Sequence, residues 1–174
     1  MRSYFFVALI VCLAGIPFVS ATEYYVSPTG SETNTGATEG SPLAAIQDAV
    51  DRAYPGDTIH LAEGTYFQDI ETVRSGEPGA PITITGPATA VIHGGGEYRI
   101  IQIFHDYFVL DGFTVDGEYA EGTYRGKLIY VIGTEPLNGV EGVQILHMTL
   151  RNANDECVRL RYFAADNEIG YNTI

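Results

Sequence analysis

Short runs of β-branched and other apolar residues follow one another along most of the chain, separated by glycine, asparagine and aspartate. Such runs predict short β-strands with turns between them. The predicted strands cover residues 23–27, 58–62, 82–85, 90–93, 100–104, 108–110, 113–115, 128–132, 143–146, 148–150, 158–160 and 169–174. No helical pattern lies between the strands from residue 58 onward, which excludes a doubly wound α/β sheet and leaves a β-sandwich or a β-solenoid.

One segment ahead of these strands has helical spacing instead. Ser41 is a good N-cap residue, Pro42 suits the first helical position, and Pro55-Gly56 would end the helix. Residues 41–54 are therefore predicted to form an amphipathic helix. Its apolar face comprises Leu43, Ile46, Ala49, Val50 and Ala53. A single amphipathic helix in a strand-rich chain indicates a lid over an apolar surface.

Three six-residue segments repeat one pattern, with apolar residues first and last and threonine fifth. They are Leu110–Val115, Ile145–Leu150 and Ile169–Ile174; the second and third start 24 residues apart, and the first two 35 residues apart, which is one period plus an insertion of 11 residues. The repetition predicts an all-β solenoid whose stacked coils align equivalent residues in ladders. A β-sandwich remains the alternative, because Asp116-Gly117 and Asn138-Gly139 are typical hairpin turns.

The first residues have the layout of a secretory signal peptide. A positive charge at Arg2 precedes an uncharged apolar run over residues 4–19, and small residues lead up to Ala21. We therefore expect cleavage after Ala21, a mature domain over residues 22–174 with no membrane span, and an extracellular or periplasmic location. Cys157 is then the single cysteine of the mature chain.

The formal net charge of the chain is −13 at pH 7. Such an acidic balance argues against nonspecific binding to nucleic acid or to membrane surfaces. A polyanionic substrate would also be repelled unless a basic cluster or a bound cation reverses the local field. Basic residues are concentrated late in the sequence, at Arg125, Lys127, Arg151, Arg159 and Arg161.

The first part of the mature chain resembles the opening of the right-handed parallel β-helix family of pectate lyase-like proteins. The matching residues are Tyr25-Val-Ser-Pro-Thr-Gly-Ser31, Ser41-Pro-Leu-Ala-Ala-Ile-Gln47, Pro55-Gly-Asp-Thr-Ile59, Gly64-Thr-Tyr66 and Ala80-Pro-Ile-Thr-Ile84. The likeness is to secreted polysaccharide lyases of the pectate lyase, alginate lyase and chondroitinase B kind. It implies right-handed coils capped at the N-terminal end by the helix over residues 41–54.

The resemblance also implies a function, namely cleavage of an acidic polysaccharide by cation-assisted β-elimination, with Ca²⁺ as the expected cation. We expect this chain to hold about four coils of a longer β-helix, truncated after Ile174, and the catalytic residues to lie largely beyond it. Two other functions stay open: a glycoside hydrolase of the polygalacturonase kind, and a non-enzymatic extracellular or adhesion β-helix.

Candidate site residues lie in the last predicted coils. Strand alternation would bury Val158 and Leu160 and expose Arg159 and Arg161; in the preceding coil, Leu128, Tyr130 and Ile132 would point inward and Lys127 outward. By the resemblance, the catalytic candidates are Lys127 and Arg159, the substrate-binding candidates are Arg151 and Arg161, and the metal-binding candidates are Asp155 and Glu156. The alternative is that the arginines are solvated and paired with Asp155, Glu156 or Asp166.

The other polar candidates are predicted to be structural. Asp111 and Asp116 flank one strand, as paired carboxylates of a glycosidase could, but both stand at corners where aspartate commonly bonds nearby backbone. The histidines have no metal-ligand spacing. They are His60, His93, His105 and His147.

Overall fold

The structure is a computed structural model that describes residues 20–134 and 139–174. The predicted signal peptide, residues 1–21, lies outside the described residues except for Ser20 and Ala21. The elements in chain order are β1 Glu23–Val26, α1 Ile46–Arg52, β2 Thr58–Leu61, β3 Gly64–Tyr66, β4 Ile70–Glu71, β5 Ile82–Thr85, β6 Ala90–Ile92, β7 Arg99–Ile103, β8 Phe108–Asp111, β9 Thr114–Asp116, β10 Glu118–Ala120, β11 Thr123–Tyr124, β12 Lys127–Ile132, β13 Gln144–Leu146, β14 Thr149–Arg151, β15 Glu156–Arg161 and β16 Glu168–Gly170.

Three parallel sheets form the body of the fold. Sheet A has six strands in the order β1-β2-β5-β8-β13-β16, sheet B has the order β14-β9-β6-β3, and sheet C has the order β15-β12-β7-β4. Neighbouring strands in these sheets are parallel. The chain passes from sheet A to B to C and back to A, as a parallel β-helix requires. The β-sandwich alternative is therefore wrong, because a sandwich is built from antiparallel pairs.

The predicted repeat coincides with the register of the sheets. Ile145 pairs with Leu110 on one side and with Ile169 on the other, so the first positions of the three segments stack in sheet A. The fifth positions stack in the same way, because Thr149 pairs with Thr114 and forms an isolated bridge to Thr173. The three threonine-containing segments are thus parallel neighbours one coil apart.

The extra residues between the first two repeats form insertions at corners. One insertion follows Asp116 and contains the antiparallel hairpin of β10 and β11. The other lies between β12 and β13, where the structure describes residues 133–134 and 139–143. Asp116-Gly117 therefore leads into a local hairpin without reversing the main strands, and Asn138 of the second predicted turn lies outside the described residues.

Helix α1 is shorter than the predicted helix over residues 41–54, because backbone pairing holds the preceding residues extended. The Leu43 N–H donates to the Tyr25 carbonyl at 2.8 Å, and the Leu43 carbonyl accepts from the Ser27 N–H at 2.9 Å. The Ile46 N–H has no acceptor within the helix and donates to Oε1 of Gln68 at 2.7 Å, so Gln68 replaces Ser41 as the cap. Ile46, Ala49 and Val50 are buried.

Helix α1 contacts β1, β2 and β4. Since β1 and β4 are the first strands of sheets A and C, the helix lies over the first coil. Within the described part of the chain, no helix combines the length and the apolar character of a membrane-spanning segment.

The interior is one apolar column. Ile59, Ile84, Leu110 and Ile145 follow one another in register along sheet A, and each is at most 1% exposed. Burial of a Leu or Ile side chain contributes about 1.5–3 kcal/mol. This column fixes the register of all three sheets, and it thereby fixes which outward side chains become neighbours.

Candidate functional site

The outward face of sheet C carries the candidate site. Register places Arg99, Lys127 and Glu156 in one ladder. A second ladder brings together Gln102, Tyr130 and Arg159. Ile101, Ile129 and Val131 belong to the core, so the second ladder, which is one residue out of phase with them, lies on the opposite side of the sheet. The Arg99 side chain of the first ladder reaches the same face, because its guanidinium lies over the Tyr130 ring.

Tyr130 points outward, and the prediction that it points inward with Leu128 and Ile132 is wrong. Leu128 and Ile129 are both fully buried, so the alternation changes phase where the coil bends into the sheet. From Ile129 onward the odd positions face the core and the even positions face outward. Tyr130 is nevertheless only 1% exposed, and the Arg99 guanidinium lies over its ring, 4.1 Å from the centroid.

Lys127, Asp155, Glu156 and Arg159 form one charged cluster. Lys127 Nζ lies 2.9 Å from Glu156 Oε2 and 3.3 Å from Asp155 Oδ2. Arg159 Nη1 lies 2.5 Å from the other oxygen of Glu156. Tyr98, the fifth member, donates its hydroxyl hydrogen to Asp155 Oδ2. The structure therefore brings together both catalytic candidates and both metal-binding candidates.

The backbone positions this cluster. Gly126, just before Lys127, accepts hydrogen bonds from the N–H groups of Asp155 and Glu156 at 2.9 and 3.2 Å. A Cβ at position 126 would lie 2.1 Å from the Tyr98 ring, so glycine at this position lets the ring pack directly against the backbone. The two acidic residues and the tyrosine are thus held on either side of Lys127.

Each charged member of the cluster stabilises the others. Hydrogen bonds to Glu156 and Asp155 raise the pKa of Lys127, even though desolvation opposes them. The Tyr98 hydroxyl and Lys127 lower the pKa of Asp155, and Lys127 and Arg159 lower the pKa of Glu156. These shifts keep Asp155 and Glu156 as carboxylates and Lys127 as an ammonium ion at neutral pH, and the raised pKa of Tyr98 keeps its hydroxyl protonated.

Arg151 and Arg161 have different surroundings. Arg151 lies on β14 in sheet B, where its Nε donates to Asp116 Oδ2 at 2.8 Å, so the structure does not bring it into the cluster. Arg161 lies on β15, and its guanidinium is 4.4 Å from the centroid of the Tyr162 ring. Arg161 thus borders the outward face of sheet C, whereas Arg151 belongs to a corner.

A shallow groove adjoins the cluster. It encloses about 240 Å³ and is lined by Glu97, Tyr98, Arg99 and Gln102. Tyr98 is 55% exposed, so its ring offers an apolar face beside the charged groups. An exposed aromatic ring next to cations and hydrogen-bonding side chains is suited to holding a charged sugar ring.

Sequence reasoning missed Tyr98 and Arg99. Aligning the predicted strands over residues 100–104 and 128–132 would have found Arg99, because Arg99 and Lys127 each immediately precede an apolar run. The contact between Tyr98 and Asp155 joins residues 57 positions apart and has no signal in the sequence.

Asp155 and Glu156 do not fit a Ca²⁺ site as the structure arranges them. Ca²⁺ takes six to eight oxygen ligands. Both carboxylates already bind Lys127, and they also contact Tyr98 and Arg159. In residues 20–134 and 139–174, no three His, Cys, Asp or Glu side chains converge on a point that could hold a metal.

The corner prediction for Asp116 is confirmed. Its Oδ1 accepts the Glu118 N–H at 3.0 Å and the Asn152 amide at 2.8 Å, and the residue is 4% exposed. Asp111 forms an exposed pair with His147 at 2.8 Å. The remaining histidines bond to single neighbours, His60 to Glu23, His93 to the Glu118 carbonyl, and His105 to Thr72.

Comparison with solved structures identifies the architecture. The crystal structure of pectate lyase Pel9A superposes on 87% of this chain and 39% of its own, with a TM-score of 0.69 and 20% identity. The chain is a pectate lyase-like right-handed parallel β-helix. The crystal structure of an alginate lyase from a Paenibacillus species superposes on 73% of this chain and 40% of its own, with a TM-score of 0.61 and 26% identity.

Sequence comparison gives a consistent result over a shorter stretch. A pectate lyase, PEL9 of Emericella nidulans, is 42% identical over 76 residues, which make up 42% of this chain and 18% of that relative. The match therefore spans less than a fifth of the relative's length. No family model matches the chain.

Proposed function

We propose that the protein is a secreted polysaccharide lyase that binds an acidic glycan on the outward face of sheet C and cleaves it by β-elimination. The observation that supports this best is the group of four cations, Arg99, Lys127, Arg159 and Arg161, beside Tyr98 and Tyr130 on one face of an acidic protein. The likeness to a pectate lyase and an alginate lyase adds support from the architecture.

The chemistry requires charge neutralisation first. In β-elimination a base takes the proton at C5 of the uronic acid, a C4–C5 double bond forms, and the C4–O bond breaks so that the leaving oxygen takes up a proton. Negative charge builds up on the sugar carboxylate as the proton leaves. Lys127 and Arg159 are the catalytic candidates, because their N–H groups lie on the face where the sugar would bind, held in place by Asp155 and Glu156. The uncompensated positive charge that would stabilise the developing negative charge comes from Arg99 and Arg161.

Local charge must also overcome the overall acidity of the protein. A net charge of −13 repels a polyanion at long range. Arg99 and Arg161 are stacked on tyrosine rings and form no ion pair within the described residues, so their charges stay available to an incoming uronate. Their guanidinium groups suit bidentate contact with a carboxylate. We assign them the substrate-binding role.

The assay for the reaction is the ultraviolet absorbance of unsaturated uronides after incubation with polygalacturonate or alginate. For a lyase, absorbance rises with the wild-type protein and falls at least tenfold in Arg159→Ala. Arg52→Ala is the matched control, since Arg52 is a cation on α1 that bonds only to the Thr35 carbonyl in the described structure. Arg52→Ala is expected to match the wild type.

Binding measurements separate this proposal from its alternatives. Affinity electrophoresis in gels containing either polymer should show retardation that Arg99→Ala weakens. New reducing ends without unsaturated product would mean a hydrolase, and retardation without either product would mean a non-enzymatic binding role. Absence of both binding and cleavage with every acidic glycan tested would refute the proposal.

Secretion and capping complete the proposal. We assign residues 1–21 to a cleaved signal peptide, which is tested by finding Thr22 as the N-terminus of the exported protein. We assign α1 the role of covering the apolar end of the first coil, because Ile46, Ala49 and Val50 are buried there. Replacing Val50 with Asp should lower the thermal midpoint, because it would place an unpaired charge in the buried contact between α1 and the first coil.

A further inference from the structure

We infer that Lys127 is a built-in counter-ion that takes the place of a divalent cation at Asp155 and Glu156, so that this site does not bind Ca²⁺. The inference concerns the same face as the proposed function and extends it, but the contacts that carry it are independent of lyase activity. They are the positions of one ammonium group and two carboxylates.

The Lys127 ammonium group occupies the place that a bridging cation would take. Lys127 Nζ lies between the two carboxylates, 2.9 Å from Glu156 Oε2 and 3.3 Å from Asp155 Oδ2. Its side chain is only 13% exposed, so it is held in place beneath Tyr98. A metal ion bridging the same two oxygens would have to displace it.

The backbone prevents Lys127 from simply moving aside. Lys127 pairs directly with Glu156 in the register of β12 and β15. The Gly126 carbonyl holds the N–H groups of Asp155 and Glu156. The lysine stem and both carboxylates are therefore anchored to adjacent strands, and the ion pair forms whenever the coils stack.

The charges of the cluster are already balanced. Two carboxylates face two cations, Lys127 and Arg159, so the cluster is already neutral and offers little attraction to Ca²⁺. Removing the lysine charge would leave one negative charge in excess and two carboxylates without their shared partner. The raised pKa of Lys127 is consistent with the strength of this pairing.

Calcium titration of the wild type and of Lys127→Met tests the inference. Thermal midpoints are measured by circular dichroism with EDTA or with up to roughly 10 mM CaCl₂. The wild type should show no calcium-dependent shift. Lys127→Met should be less stable in EDTA and gain about 3 to 10 °C with calcium, as expected for a site of roughly 0.1–1 mM affinity.

Matched variants make the result specific. Arg151→Met removes a different cation from a carboxylate, Asp116, and should give no response to calcium. Adding Asp155→Asn and Glu156→Gln to Lys127→Met should abolish the gained response. Should Lys127→Met fail to fold, calorimetric titration of the wild type with CaCl₂ decides alone.

Calcium binding by the wild type that Asp155→Asn removes would overturn the inference. A Lys127→Met protein that folds yet ignores calcium would also overturn it. Neither outcome bears on the proposed lyase activity, which is read separately from unsaturated product.

Discussion

Replacing Asp116 with asparagine should destabilise the protein by about 2 kcal/mol. The buried carboxylate accepts three hydrogen bonds, from Arg151 Nε at 2.8 Å, from the Asn152 amide at 2.8 Å and from the Glu118 N–H at 3.0 Å. Asparagine keeps one oxygen for the last two donors, but it turns an amide donor toward Arg151. One charge-assisted bond is lost, and two donors then face each other.

The magnitude follows from these contacts. A hydrogen bond to a charged group contributes about 1.5–3 kcal/mol. Arg151 is 54% exposed and can turn toward water, so the loss should lie in the lower part of that range. At about 2–4 °C per kcal/mol for a chain of this size, the thermal midpoint should fall by about 4–8 °C.

The pH dependence gives an independent check. Desolvation raises the pKa of Asp116, but hydrogen bonds from Asn152, Glu118 and Arg151 outweigh it, and the pKa lies below its ordinary value. A lowered folded-state pKa stabilises the fold above the unfolded pKa of about 3.9, and the contribution is lost as pH falls through the folded value. The difference between wild type and Asp116→Asn should therefore shrink below about pH 4.

Urea unfolding followed by circular dichroism measures the difference, with Asp111→Asn as the control. Asp111 is 41% exposed in its pair with His147, so its loss should cost less than about 1 kcal/mol. A double-mutant cycle with Arg151→Met should show coupling of about 1 kcal/mol. A change below about 0.5 kcal/mol for Asp116→Asn, or an equal loss at pH 3 and pH 7, would refute the reasoning.

Two further predictions concern the stacking of the coils. Gly117→Ala should lower the free energy of unfolding in urea by more than about 2 kcal/mol, because the added Cβ would lie 2.1 Å from the Asn152 carbonyl oxygen. Gly40→Ala is the control: a Cβ there would meet no atom within 4 Å, so the free energy of unfolding should change by less than about 0.5 kcal/mol. Ile145→Ala should lower the free energy of unfolding by about 2–5 kcal/mol in the same assay, since Ile145 is 1% exposed between Leu110 and Ile169. Ile169 is 42% exposed, so an equal loss in Ile169→Ala would contradict the buried stacking of Ile145.

The repeat could be predicted from the sequence because it records stacking directly. Residues that share a ladder must be compatible one coil apart, so Thr114, Thr149 and Thr173 occupy the same position in successive coils. Strands β3 and β4 escaped prediction since they are only three and two residues long, too short for an apolar alternation to emerge. Their pairing with β6 and β7 stabilises them instead.

The helix and the site show where local pattern fails. Ser41 has the features of an N-cap, yet hydrogen bonds from Leu43 to β1 win over helix formation there. At Leu128 and Ile129 a bend shifts the alternation by one residue, which no window of sequence reveals, and Tyr130 is turned outward in consequence. The sequence pattern and the resemblance supplied the candidate residues, but the partners of those residues depend on the register of the strands and on the corners between them.

The same stacking that builds the core makes the outward charges costly to arrange. Parallel coils bring Arg99 and Lys127 into adjacent rungs, about 4.8 Å apart along the sheet, where like charges repel. The protein offsets this in two ways, with the Tyr130 ring beneath Arg99 and the two carboxylates around Lys127. Arg99 remains free of a carboxylate within the described residues, although the chain has many more acidic than basic residues. A cation without a carboxylate partner adds little to stability at such a position, which supports the proposal that Arg99 binds an acidic glycan.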